Sequence, residues 1–277
     1  MDKHFELTDK FIINAFGIKL LQIKCTRKIK HADVGDLGGY IEKEDNLSGD
    51  AWVSGNAKVS GDAQVSGNAW VSGDAKVSGN AWVSGDAKVS GDAKVSGNAQ
   101  VSGDAKVYGN AWVSGDAKVY GNAQVYGNAQ VCGNAQVCGN AEVCGNAQVC
   151  GDAKVYGDAG VSGDAQVCGD AQVSGDAKVY GNAWVSGDAK VSGNAWVSGD
   201  AKVSNNNEHC GFDCFGSANR HTHAYKTQSG KVEIICGCFR GSIEEFEEQV
   251  KKTHQGNEFE RQYMAIAEVI KIKLGLK

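Results

Sequence analysis

A single six-residue repeat governs the middle of the chain. A Leu or Val stands at every sixth position from Leu47 to Val203 with no insertion, which makes 27 consecutive hexads of the form V-S-G-[D/N]-A-x. No single hexad can bury its own Val, so a period this strict predicts repeats that stack on one another. Of the 277 residues 38 are Gly and none is Pro, which favours ordered repeats over a flexible linker.

Each hexad predicts one short strand and one corner. The repeat Ala stands two positions before the Val, so both side chains face the same side of a strand. The Gly-Asp or Gly-Asn pair that follows tolerates the left-handed backbone of a sharp corner. Stacked hexads would bury every Ala and Val together.

The motif V-S-G-D-A-K, as in Val71–Lys76, resembles the hexapeptide pattern of left-handed parallel β-helices, the coil of trimeric acyltransferases. The resemblance implies three hexads per triangular turn, a left-handed coil and about nine turns. We therefore predict a mainly β fold: an N-terminal β cap over residues 1–46, a β-helix over 47–204 and a C-terminal α+β cap over 205–277.

The two predicted caps carry their own signals. Phe11–Cys25 is rich in Ile and Phe around a turn-like Asn-Ala-Phe-Gly, which predicts a hairpin. Residues 205–241 predict two or three strands with a turn at Thr227–Gly230. Ser242 and Glu245 form a capping box that predicts one helix, and Asn257 is placed to cap a second.

The outward positions of the coil carry the sequence variation. With 18 residues per turn, Cys132, Cys150 and Cys168 would form one column, and Trp52 would stack with Trp70. Aromatic residues suit any sheet surface, but exposed aromatic rows also favour a binding or self-association face, and stacked thiols suit a metal or redox role. The candidate binding face comprises Trp52, Trp70, Trp82, Trp112, Trp184, Trp196, Tyr108 and Tyr126.

The tail holds the densest group of reactive side chains. Zinc is the one cofactor for which the sequence offers ligands, at spacings C-x3-C, H-x-H and C-x-C, which are weaker than paired CxxC motifs. Ordinary strand residues with buried thiols, or a Cys–His nucleophilic pair, are the alternatives. The candidate ligands are Cys210, Cys214, His221, His223, Cys236 and Cys238.

Charge and hydropathy exclude several classes of partner. The net charge is −5 with no basic block, so we expect no nucleic-acid partner. No apolar stretch approaches the ~18 residues that span a bilayer, so we expect no membrane partner. The start MDKHFELTDKF lacks the apolar core of a signal peptide, which predicts a cytoplasmic protein with its ten cysteines as thiols or ligands.

A closer resemblance covers residues outside the repeat. His31–Val53, with its D-L-G-G-Y-I-E-K-E-D-N-L-S run, and Cys236–His254 resemble phage and prophage hexapeptide-repeat proteins, which are usually uncharacterised or labelled acetyltransferases. That resemblance implies a phage or prophage origin, a bacterial host cell and no agreed catalytic residues.

The favoured function is a non-catalytic structural or protein-interaction protein, a rigid rod that presents flat Trp, Tyr, Lys and Cys faces to a host protein or to itself. The alternative is an acyltransferase that moves an acyl group from acyl-CoA to a sugar or small amine. Its base would have to be His31, His209, His221 or His223, because the coil contains no His and no inserted loop, and we therefore lean against an enzyme. A small-ligand or ice-binding surface is a third hypothesis, although the coil lacks the Thr array expected for ice.

Overall fold

The hexads form a ladder of very short parallel strands in the computed structural model, which describes residues 3–276. Two-residue strands follow one another at six-residue intervals, from β4 (Trp52–Val53) to β29 (Lys202–Val203), and each ends on a repeat Val. Their partners lie 18 residues away, as where Lys88 pairs with Lys106 and Val89 with Val107. Three hexads therefore make one turn, as predicted.

The repeat Ala and Val side chains form the interior of the coil. From Val53 to Val203 every repeat Val is fully buried, and so is every repeat Ala apart from a slight exposure of Ala195. Removing apolar surface from water stabilises the folded chain by about 25 cal/mol per Å². Because both side chains are small, the core they fill is narrow.

Glycine is required at the corner of each hexad. The repeat Gly residues have φ between +58° and +75°, a region that costs any other L-residue about 1–2 kcal/mol. The corners also stack closely, because a Cβ added to Gly97 would lie 2.9 Å from the carbonyl oxygen of Gly115. Both the dihedral angle and the space exclude a side chain.

The chain divides into two compact units, one that ends at Asp152 and one that begins at Ala153. Within each unit every third strand pairs, which gives three parallel sheets. The 27 hexads make about nine turns, so the mainly β solenoid class is confirmed. The left hand of the coil and the three-segment division of the chain stay predictions.

A hairpin precedes the coil in the N-terminal unit. Strand β1 (Phe5–Ile13) pairs antiparallel with β2 (Lys19–Cys25), which confirms the predicted hairpin. Strand β3 (Leu37–Ile41) pairs antiparallel with β2 and parallel with β5 (Lys58–Val59), so one sheet runs from the hairpin into the coil. A 3-10 turn, Glu44–Asn46, then leads into the first repeats.

The C-terminal unit ends in an α+β segment. Four antiparallel strands form its sheet rather than the two or three predicted, because the three residues after the Gly237 turn extend it. The strands are β30 (His209–Phe215), β31 (Arg220–Lys226), β32 (Val232–Cys236) and β33 (Phe239–Gly241). The turn at Thr227–Gly230 joins β31 to β32 as expected.

Two helices pack on one face of this sheet. Helix α1 (Ile243–His254) begins at the predicted capping box, where Ser242 Oγ accepts from the Glu245 amide at 3.3 Å. Helix α2 (Glu258–Leu274) begins at Asn257, whose side chain accepts from the Phe259 amide at 2.8 Å. Both predicted caps are confirmed.

Replacing a corner glycine tests this geometry. We expect Gly97→Ala to lower the free energy of unfolding by about 2–4 kcal/mol, because it combines positive φ with a backbone clash. Gly160→Ala is the matched control, since Gly160 lies in a strand with nothing within 4 Å of an added Cβ. Urea denaturation followed by circular dichroism measures both, and equal stability of the two variants would contradict the corner argument.

Candidate functional site

Four outward tryptophans of the coil share one hydrogen bond. Trp70, Trp82, Trp112 and Trp184 each donate the indole N–H to the side chain 16 residues earlier, which lies diagonally across the neighbouring turn. The Nε1–Oγ distances are 2.8 Å for Trp70 to Ser54, 3.1 Å for Trp82 to Ser66 and 3.2 Å for Trp112 to Ser96. The hydroxyl satisfies the only polar atom of the indole and fixes its orientation, so the remaining ring surface is apolar.

The tyrosines make a similar diagonal contact, but with the side chain 16 residues later in the chain. The Tyr108 hydroxyl donates to Gln124 Oε1 at 3.3 Å. Tyr108 and Tyr126, one turn apart, stack with ring centroids 4.9 Å apart and planes within 3° of parallel. Side chains at equivalent positions of successive turns therefore lie side by side at the strand spacing.

The predicted face residues differ in exposure. Trp82 and Trp112 are 49% and 45% exposed, and Trp184 and Trp196 are each 39% exposed. Trp70, Tyr108 and Tyr126 are half-buried.

Trp52 departs from the prediction of an outward face, since it is only 2% exposed. The N-terminal segment covers this position, and His4 Nε2 bonds to the Ala51 carbonyl at 2.8 Å beside the indole. Nothing in the repeat period could indicate which turn the segment before the coil would cover.

His31, a candidate acyl-transfer base, is held against the coil. Its ring stacks on Trp70 with centroids 5.1 Å apart, and its Nε2 lies 3.0 Å from the Asn68 carbonyl oxygen. Burial has the largest effect on the pKa of His31, and it lowers that pKa. The contacts make this histidine part of the attachment of residues 1–46 to the first turns.

The C-terminal unit gathers three histidines on the face of its sheet opposite the helices. His223 Nδ1 lies 2.8 Å from the Trp196 carbonyl oxygen and must donate, because a carbonyl oxygen only accepts. Burial lowers the pKa of His223 to about 3, so its Nε2 carries a lone pair. His209 Nδ1, 3.1 Å away, therefore donates to it. The chain of bonds thus fixes the tautomer of both rings.

The third ring, His221, is held by a carboxylate. Its Nδ1 donates to Asp213 Oδ1 at 2.6 Å, and Asn194 donates to the same oxygen at 3.4 Å. This is the arrangement that orients a general base. However, His221 Nε2 is buried without a hydrogen-bond partner among the described residues, and a Cβ on Gly211 would lie 3.2 Å from it. The free nitrogen thus faces backbone rather than an open site.

A cavity of about 280 Å³ opens beside this cluster. Trp196, Arg220, His221 and Ile235 contribute to its walls. The lining combines apolar surface with one guanidinium, which suits a small ligand with a flat apolar part.

The candidate zinc ligands lie on two faces of the sheet. His221 and His223 face the coil, whereas Cys210 and Cys236 pack toward the helices, because adjacent residues of a strand alternate. Burial raises the pKa of Cys210 to about 11, so the thiol stays protonated.

The remaining two thiols are exposed: Cys214 has φ of +60° where the ladder register shifts, and Cys238 lies in a turn. Among residues 3–276 no three His, Cys, Asp or Glu side chains form a group that could hold a metal ion. The structure thus brings together His221 and His223 but none of the predicted cysteines with them.

Two members of the histidine cluster lay outside the candidate ligand set. From the sequence alone His209 is named only as a possible acyl-transfer base, and Asp213 is not named. Alternation along β30 was the available signal, because His209, Gly211 and Asp213 share one face while Cys210 and Phe212 share the other.

Comparison with known proteins shows what the repeat is similar to. Six segments match the family model described as “YdcK Beta solenoid repeat”, namely residues 63–85, 99–115, 117–133, 135–151, 147–163 and 171–187. The chain is a β-solenoid repeat protein. No curated protein matches this solenoid. Within the described part of the chain, no helix has the length and apolarity needed to cross a membrane.

The neutral His223 predicts a pH-dependent stability. Its folded pKa lies below the unfolded value of 6.5, so its stabilising contribution is present above pH 6.5 and falls as pH drops toward 3. We expect the slope to approach about 1.4 kcal/mol per pH unit per proton. His223→Asn should lower stability at pH 7.5 yet flatten the slope between pH 6 and 5.

Tyr225→Phe is the matched control for this prediction. Tyr225 lies on the same strand face and contacts Ser198 at 3.3 Å, and its pKa of about 12 is far from the range tested. The Tyr225→Phe variant should lose the same amount of stability at pH 7.5 as between pH 6 and 5. Urea denaturation at a series of pH values measures the slopes, and a His223→Asn slope equal to that of the wild type would refute the assignment.

Proposed function

We propose that this solenoid is a non-catalytic structural protein that binds a protein partner, either a host protein or a second copy, through the exposed tryptophans of its coil. The observation that carries the proposal is the fixed orientation of Trp82 and Trp112, whose indole N–H groups are already bonded within the chain. The phage or prophage origin and the cytoplasm of a bacterial host belong to the same proposal and rest on the resemblance of His31–Val53.

Fixed indoles are efficient contact residues. Binding usually costs side-chain entropy, about 0.5–1.5 kcal/mol for each flexible side chain that is immobilised. The Ser66 and Ser96 hydroxyls have already restricted Trp82 and Trp112, so less is lost on binding. Trp is also among the residues that dominate binding energy at protein interfaces. Lys94, with its ammonium 5.8 Å from the Trp112 ring centroid, adds a charge beside one of them.

The position of the histidines supports a non-catalytic role over acyl transfer. A general base must reach the proton it removes, at about 2.6–3.2 Å. His31 is stacked on Trp70, and His221 Nε2 faces Gly211. The His31 Nε2 is engaged with the Asn68 carbonyl oxygen, and the His221 Nε2 is buried although its ring borders the cavity.

The double variant Trp82→Ala/Trp112→Ala tests the proposal. We expect it to fold as the wild type does, but to lose at least 30-fold in affinity for the partner, since truncating an interface hot spot costs about 2 kcal/mol or more. Lys76→Ala/Gln100→Ala is the matched control, because these side chains are exposed at equivalent positions of the same two sheets. Sedimentation velocity detects a second copy, and quantitative affinity purification from bacterial lysate followed by titration of the retained protein detects a host partner.

Three results would count against this function. Equal affinity of the double Trp variant and the wild type would exclude the tryptophans as the contact. An equal loss in the Lys76/Gln100 control would point to a general surface effect. A wild-type protein that stays monomeric and retains no protein would remove the interaction itself.

A further inference from the structure

The cavity beside the histidine cluster is bordered by two hydrogen-bond donors that the chain does not use. Its volume is about 280 Å³. Trp196 from the coil and Ile235 from β32 give it apolar walls, and Arg220 and His221 from β31 complete them. All of these residues belong to the C-terminal unit, so the cavity lies within one compact body.

The indole of Trp196 provides the first unused donor. Trp184, which is equally exposed at 39%, donates its indole N–H to Cys168 Sγ at 3.0 Å. The position 16 residues before Trp196 holds Tyr180 instead, whose ring meets the indole edge-on with centroids 6.3 Å apart. No group of residues 3–276 accepts the indole N–H of Trp196, so this donor is available to a ligand.

The guanidinium of Arg220 provides the second unused donor. It lies over Gly237, a wall residue of the cavity, where an added Cβ would collide with Arg220 Nη1. Within residues 3–276 the guanidinium forms no ion pair and no hydrogen bond. Its planar fork of N–H groups can bind both oxygens of one carboxylate at once.

The charges around the cavity favour an anion. Of the described residues that line it, none is Asp or Glu. The Lys178 ammonium, 5.6 Å from the Trp196 ring centroid, adds a positive charge to that of Arg220. Asp213 lies behind His221 and already accepts from its Nδ1 at 2.6 Å. A bound carboxylate is therefore attracted by two cations and meets no carboxylate in the wall.

We propose that this cavity binds a small planar aromatic carboxylate. The aromatic ring packs against Trp196 and Ile235, and the carboxylate accepts from Arg220. A cavity of about 150 Å³ is enough for benzene, so about 280 Å³ has room for an aromatic ring with its carboxylate group. Apolar walls with a few placed polar groups are typical of small-molecule sites. The site is separate from the proposed protein contact, because neither Trp82 nor Trp112 lines it.

Matched pairs of small molecules test the site on the full-length protein. The probes are benzoate, indole-3-carboxylate and 2-naphthoate, each compared with its primary amide, and saturation-transfer NMR titrations give the affinities at pH 7.5. We expect at least one carboxylate to bind with a Kd below about 1 mM, and about tenfold or more tightly than its amide. The amide has the same shape but is neutral, so it cannot form the charge-assisted pair with Arg220.

Variants of the two donors locate the binding. Arg220→Met keeps a long apolar side chain but removes the charge, so we expect it to lose about tenfold or more in affinity for the carboxylate. Trp196→Ala should also weaken binding, because it removes an apolar wall. Arg261→Met and Trp184→Ala are the matched controls, since both residues are exposed and neither lines the cavity. Both controls should bind as the wild type does.

A second readout on the wild type does not depend on the folding of any variant. The indole N–H resonance of Trp196, assigned by its loss in Trp196→Ala, should shift on titration with the carboxylate, whereas that of Trp184 should not. Three results would overturn the proposal: no carboxylate that binds the wild type below about 1 mM, equal affinity of Arg220→Met and the wild type, or equal shifts of the two indole resonances. An equal loss of affinity in Arg261→Met would indicate general charge attraction and would also overturn it.

Discussion

Close stacking of glycine on glycine at the corners is the constraint on which the rest of the solenoid depends. The corner backbone has positive φ, and the next corner lies so near that a Cβ would contact its backbone at about 3 Å. The backbone of each turn must therefore repeat that of the previous turn, with a period of 18 residues. An insertion of even one residue would move a Val out of the core and a glycine out of its corner.

The same constraint organises the surface. Because the backbone is invariant, the residues before and after each Val are the main positions free to vary, and they fall into columns and diagonals. The diagonal explains why Trp82 reaches Ser66 and why Tyr108 reaches Gln124, and the column explains why Tyr108 stacks on Tyr126. Like residues 18 positions apart thus lie together, which turns a low-complexity sequence into pairs of defined geometry.

The features that depend on the six-residue period and on local chemistry could be predicted from the sequence. The three-sided coil, the buried Ala and Val columns and both helix caps followed from spacing and local chemistry. The burial of Trp52 and the stacking of His31 on Trp70 did not, because they depend on how a non-repeating segment packs on the coil. The candidate zinc ligands fall between these two cases. Alternation, combined with the pairing of β31 with β30 and β32, separates His223 from Cys210 and Cys236. The irregularity at Cys214 had no sequence signal.

The coil and the C-terminal α+β segment hold their polar groups in different ways, and this bears on where function lies. In the coil, polar side chains are satisfied by their own repeats, so a substitution alters one contact and leaves the backbone in place. In the α+β segment, His209 and His223 form one directed chain that ends on the Trp196 carbonyl, and each ring fixes the tautomer of the next. A change there disturbs several groups at once. The coil surface is therefore the part of this molecule that can acquire a new binding partner at the least expense in stability.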